Sequence, residues 1–228
     1  MPHEHPTFQY DCDAILFDLD GVLVDSNKCI ELLWRIWADK RHINVDKVLH
    51  YTHGRQAVET IHLVAPHLDA EQEAAELWAI EAHETTGLAK IPGAVELLQS
   101  IPAGAWGIAT SEIRAIASAH LAFAGLPVPE VLISAEDVVA SKPDPEPYLF
   151  AAMMLGVKPA RCVVIEGSPA GIRAGRAAGM HVVGVLSSAY TVDELRPAHV
   201  IARKLGDVEV IQSPATSQAR LIVRVKGI

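Results

Sequence analysis

The chain has 228 residues, half of them hydrophobic, with 28 acidic against 19 basic side chains and a net charge of −9. That length suits one large domain, or one domain carrying a smaller insert. The charge argues against a fold-wide basic surface for nucleic acid, and no apolar run reaches the ~18 residues that cross a bilayer.

The opening "MPHEHPTFQY" is polar and Pro-containing, lacks a basic-then-apolar leader pattern, and is expected to fray with its His3 and His5. "AILFDLD", 14 to 20, reads as a short strand ending on Asp18 and Asp20. From 26 to 87 the apolar spacing is helical throughout. One helix is expected over 26–42 with Ser26 as N-cap, a second over 55–68 broken by Pro66, and a third over 69–87 capped by Asp69. Trp34, Trp37 and Trp78 fall at core spacing there, rather than as a substrate platform. From 91 onward strand and helix alternate: strands at 105–110, 130–134, 162–166, 181–186 and within 199–205, with helices between them. "RLIVRVKGI" alternates apolar and basic residues as an edge strand does. Cys12, Cys29 and Cys162 form an odd set without zinc spacing, which points to a reducing, cytoplasmic compartment.

Alternating strands and helices call for a parallel sheet covered on both faces. The expected fold is therefore α/β: a Rossmann-like, doubly wound core from 1–23 and 89–228, split by an inserted α-helical cap over 24–88. Ligands in such sheets bind at the carboxyl ends of the strands. Asp18, Asp20, Thr110, Ser111 and Glu166 stand at those ends, and Lys142 lies in the loop after 130–134.

Singly, each residue has a plainer reading. Asp20-Gly21 is a hairpin signal, Thr110 and Glu166 could cap the helices that follow, and a lysine is most often a solvated surface charge. Together they suit phosphoryl chemistry. Two close carboxylates repel unless a cation compensates, a third acid favours a hard cation such as Mg²⁺, and lysine and hydroxyl donors match phosphoryl oxygens. One aspartate could attack phosphorus and the other could serve as acid and base.

"FDLDGVLVDS", "ATS", "SKPDPEPY" and "VVIEGSPAGIRAGRAAG" resemble, in order, the four motifs of the haloacid dehalogenase-like phosphohydrolases, over residues 14 to about 190. "YTHGRQAVE", "IPGAVELL" and "GIATS" look like the branch holding glycerol-phosphate and 2-deoxyglucose-6-phosphate phosphatases. The resemblance implies Asp18 as nucleophile and Asp20 as general acid and base. It implies Thr110 and Lys142 as phosphoryl-oxygen ligands, and Asp18, Asp20 (through its backbone carbonyl) and Glu166 as the Mg²⁺ site. His53, Gly54 and Arg55 of the cap would reach the substrate, with Ser111 and Glu112 near the leaving group. It also implies a monomer acting on a small phosphorylated metabolite, with neither nucleic acid nor membrane as partner.

One position departs from the family pattern. Where the family places a metal-binding Asp after the Glu, this chain has Gly167. A Mg²⁺-dependent sugar or polyol phosphatase leads the readings. A phosphomutase and a silent phosphometabolite binder remain beside it.

Overall fold

The computed structural model describes residues 6–52, 55–213 and 220–228. The first element overturns an expectation. Thr7–Cys12 is a strand, β1, and not a frayed end; His3 and His5 lie outside the described residues. β2 (Ala14–Phe17) follows, fully buried, and then a two-residue strand, β3 (Val24–Asp25).

Four helices come next: α1 (Asn27–Lys40), α2 (Val45–Thr52), α3 (Ala57–Val64) and α4 (Ala70–Glu81). They close over their own apolar cluster, with Leu33, Trp34, Trp37, Ile61 and Leu77 at its centre. Asp69 caps α4 as expected, its side chain accepting from the Gln72 N–H at 3.2 Å. Ser26 sits at the N-cap of α1, but its hydroxyl serves a different partner. β4 (Ala89–Lys90) then pairs antiparallel with β3, so the two crossings between the helical unit and the sheet are hydrogen-bonded together.

The remaining elements are α5 (Ala94–Gln99), β5 (Trp106–Ala109), α6 (Arg114–Ala124), β6 (Leu132–Ile133), α7 (Glu146–Met154), β7 (Cys162–Glu166), α8 (Pro169–Ala177), β8 (His181–Val185), α9 (Val192–Leu195), β9 (Val200–Ala202), β10 (Val208–Gln212) and β11 (Leu221–Lys226). Six strands form a parallel sheet in the order β6-β5-β2-β7-β8-β9. Because side chains alternate across a strand, β2 feeds two cores. Ile15 and Phe17 pack with α5 and α6 residues such as Leu97 and Leu121. Ala14 and Leu16 pack with Tyr148 of α7 and Ile172 of α8 on the opposite face. A strand buried on both sides has few polar positions to spare, which is why β2 and β5 read as continuous apolar runs, as does β7 up to Glu166 at its end.

The C-terminal strand is not an edge. β11 is the middle of a second, antiparallel sheet ordered β1-β11-β10, with Thr7 opposite Lys226 and Cys12 opposite Leu221. Leu221, Val223 and Val225 are buried while Arg224 and Lys226 are exposed. The alternation is that of a strand with one face on a core, which centre and edge strands share. All three cysteines are buried and free. Among the described residues no helix is long and apolar enough to cross a membrane.

Candidate active site

Chain order reverses at β2. β5 and β6 lie on one side of it and β7, β8 and β9 on the other. A crevice opens at the strand ends of such a switch point. β2 ends at Phe17, so Asp18 and Asp20 sit on the following turn and not on a regular strand. The Asp18 N–H donates to the Ile165 carbonyl at 3.0 Å, fastening the turn to β7. The chain then tightens through Gly21 at φ +78°, a left-handed conformation that glycine adopts without strain. The two aspartates therefore meet different partners.

Asp18 faces Lys142. The ammonium lies 2.9 Å from Asp18 Oδ1 and 2.8 Å from Glu166 Oε1. All three are buried, with Lys142 1% and Glu166 0% exposed. Burial, then the Glu166 charge, push the Asp18 carboxyl up to about 7 against the pull of Lys142. Burial alone would strip Lys142 of its proton, but the two carboxylates outweigh it and raise its pKa, so the lysine stays charged.

Asp20 Oδ1 accepts from the Ser26 hydroxyl at 2.6 Å and meets His120 Nδ1 at 3.1 Å. Burial works against the Asp20 charge, yet His120 and Ser26 hold its pKa below the ordinary value. His120, on α6 and 1% exposed, is raised in turn: burial opposes its charge, and the Asp20 contact overrides that. Its Nε2 has no hydrogen-bond partner among the described residues.

Thr110, at the end of β5, is buried; its hydroxyl accepts from the Glu112 N–H at 3.1 Å. Ser111, Glu112 and Arg55 line the cleft between sheet and helices, together with Asp18, Asp20 and Gly167. Trp34 lines it too, while also packing in the helical core. His53 and Gly54 lie outside the described residues. The loop carrying Lys142 is tied to the helical unit, since the Ser141 hydroxyl donates to Glu59 Oε1 at 2.6 Å.

Glu166, expected in the metal site, makes four hydrogen bonds within the protein. Its Oε1 accepts from Lys142 and from the Tyr148 hydroxyl, at 3.0 Å for the latter. Its Oε2 accepts from the Ser168 N–H and hydroxyl at 2.7 and 3.0 Å. Four donors thus surround the carboxylate, and Glu166 holds Lys142 against Asp18. The visible signal in the sequence is the Ser two residues on and the Gly five residues on: a Cβ at Gly171 would stand 1.5 Å from Glu166 Oε1.

Among the described residues no group of three His, Cys, Asp or Glu side chains is arranged for a metal ion. Two carboxylates, Asp18 and Asp20, do face the cleft. One or two carboxylates plus substrate phosphate oxygens are the usual protein share of a Mg²⁺ shell, so the donor set fits that ion sparsely. Gly167 sets the sparseness. A Cβ there would lie 3.2 Å from Val22 Cγ2 and 3.4 Å from the Gly21 carbonyl oxygen, close but accommodated if Val22 yields slightly. Gly167→Asp is expected to tighten Mg²⁺ binding about tenfold or more by adding a charged oxygen donor. Calorimetric titration of Mg²⁺ into both substrate-free proteins checks it; equal affinities would show that position 167 does not face the ion.

Residues 12–179 match the family of haloacid dehalogenase-like hydrolases. The chain is 40% identical to hexitol phosphatase A of Escherichia coli over 208 residues, covering 89% of this chain and 96% of that one. It is 34% identical over 201 residues to glycerol-1-phosphate phosphohydrolase 1 of Saccharomyces cerevisiae, covering 82% and 80%. A hydrolase structure from Pseudomonas syringae superposes with a TM-score of 0.74 at 26% identity, covering 86% and 95%. With its six-stranded core, its strand-end acids and their buried lysine, the chain belongs to the haloacid dehalogenase-like hydrolases, as a phosphoric monoester hydrolase.

Proposed function

We propose that the chain hydrolyses monophosphates of small polyols or sugars through an aspartyl-phosphate. The observation that carries this reading is the buried Asp18–Lys142–Glu166 triad, of which Asp18 lines the cleft. A carboxylate held on one oxygen by a permanent ammonium is oriented for attack, and the other oxygen is the nucleophile. Asp18 attacks phosphorus and the ester P–O bond breaks. Asp20 passes the proton that the raised His120 imidazole holds beside it to the leaving alkoxide, then takes one from the water that cleaves the acyl phosphate, which releases phosphate and restores Asp18. Lys142 and the Thr110 hydroxyl balance the charge on the phosphoryl oxygens. The Asp18 carboxylate, the Asp20 backbone carbonyl and Glu166 would hold Mg²⁺, and the chemistry it supplies is charge neutralisation at those same oxygens. Residues 24–88 act as a cap that keeps bulk water from the cleft. The names of the two relatives above, a hexitol phosphatase and a glycerol-1-phosphate phosphohydrolase, support the substrate class.

The test is phosphate release from glycerol, hexitol and hexose phosphates across a Mg²⁺ titration. Turnover should rise with Mg²⁺. Asp18→Asn should lower it by about four orders of magnitude or more, as removal of a nucleophile does. It should also leave no acid-stable phosphate label on the protein. Gly167 favours one further reading, a binder without turnover. Thermal stabilisation by a hexitol phosphate, without phosphate release at any Mg²⁺ level, would select it.

A further inference from the structure

Glu81 is the last residue of α4 and is 8% exposed. It lines the cleft opposite the strand ends, yet its Oε1 has no hydrogen-bond partner among the described residues. Leaving a carboxyl oxygen buried and unpaired costs about 1–3 kcal/mol, more if it is charged. Nothing in the packing of α4 calls for an acid there: the helix contributes Ala70, Ala74 and Leu77 to the helical core without it.

We propose that Glu81 receives the hydroxyl groups of the leaving alcohol and so selects polyhydroxylated phosphate esters over plain alkyl or aryl ones. This rests on the phosphatase reading above and adds the residue that reads the organic part of the substrate.

Three observations converge. Glu81 lies close enough to Asp20 and Glu112 for their charges to interact. Asp20 is the group that meets the leaving oxygen, so the carbon chain beyond that oxygen runs into the space Glu81 borders. Burial, then the Asp20 charge, push Glu81 up to about 8, so at neutral pH it is mostly a carboxylic acid. A carboxylic acid both donates and accepts, which matches a hydroxyl or an adjacent pair of them and avoids setting a bare negative charge beside Asp20. Finally, Leu77, Leu33 and Trp34 line the same cleft, and such surfaces suit the C–H faces of a polyol. A site that hydrogen-bonds a substrate hydroxyl rejects analogues lacking it, because its polar atom is then stranded.

The experiment compares wild type, Glu81→Leu and Glu81→Gln on hexitol phosphate, glycerol phosphate, ethyl phosphate and p-nitrophenyl phosphate. Glu81→Leu should lower kcat/KM for the first two about tenfold or more, mainly through KM, and change the last two by less than about twofold. Glu81→Gln keeps a donor and an acceptor and should retain most of the preference. Glu81→Leu should also melt at a higher temperature than wild type, since it removes a stranded acid. An equal change on all four esters, or none on any, would overturn the inference. Wild-type protein that releases phosphate from no ester would overturn the hydrolase reading, and this inference with it.

Discussion

Lys142→Met is expected to lower the unfolding free energy by about 3–5 kcal/mol, the cost of removing one partner from a buried ion pair. Methionine keeps most of the volume, so the loss isolates charge from packing. Lys142 Nζ is the one cation between Asp18 and Glu166, and all three are out of water. Without it two carboxylates repel in a medium that screens poorly. Turnover should fall about 10²–10³-fold alongside, since a fixed charge at the phosphoryl oxygens is lost. The stability deficit has a definite pH sign. Asp18 is already raised to about 7 in the folded protein, above its ordinary value near 3.8, and losing Lys142 raises it further. A carboxyl raised on folding binds its proton more tightly in the native state, so its contribution is most favourable at low pH and is lost as pH rises. Urea unfolding should therefore show a larger deficit at pH 8 than at pH 5. A deficit independent of pH would place the cost in packing instead.

Gly171→Ala should do comparable damage from the other side of the same network. Alanine is intrinsically better than glycine inside a helix by about 1 kcal/mol. Here that gain is outweighed. A Cβ at 171 would sit 1.5 Å from Glu166 Oε1 and 2.0 Å from its Cδ, so the carboxylate must leave. Lys142, Tyr148 and both Ser168 donors then lose their acceptor while buried. The expected destabilisation is about 3 kcal/mol or more, with turnover falling as Lys142 drifts from Asp18. Lys142→Met combined with Gly171→Ala should cost less than the two separately, because both break one network. Gly175→Ala is the control. The atoms nearest its Cβ would belong to the side chains of Val182 and Val164, so it should lose about 1–3 kcal/mol to overpacking and keep its activity.

The sheet and its reactive edge were legible because parallel strands gather their carboxyl ends on one side. Asp18, Thr110, Glu166 and the Lys142 loop needed only their places after apolar runs. The task of Glu166 was not legible, because its partners Tyr148 and Ser168 arrive from α7 and from the start of α8. β1 was missed for a related reason. Thr7–Cys12 has mostly exposed residues and becomes a strand only through β11, at the far end of the chain. His120 and Glu81 carry no local mark at all. A histidine within a helical pattern, or a glutamate at the end of one, reads as solvated, and only the packing of α6 and α4 on the rest of the fold buries them. The Ser26 hydroxyl shows the same limit: its position as an N-cap was readable, its bond to Asp20 was not.

The short pairing of Val24 with Lys90 and Asp25 with Ala89 has a consequence for how such a chain can change. To the sheet, everything between those pairs is the loop of a hairpin. The entropy of closing a loop grows only with the logarithm of its length, about 0.6 kcal/mol for each doubling. The sheet is therefore nearly indifferent to what fills the loop, provided the filling packs on itself, as Trp37, Ile61 and Leu77 do. Residues added to or traded within that segment would alter which alcohol is held while Asp18, Lys142 and Glu166 stay where they are. Selectivity and bond-breaking can then evolve as separate inheritances within one polypeptide.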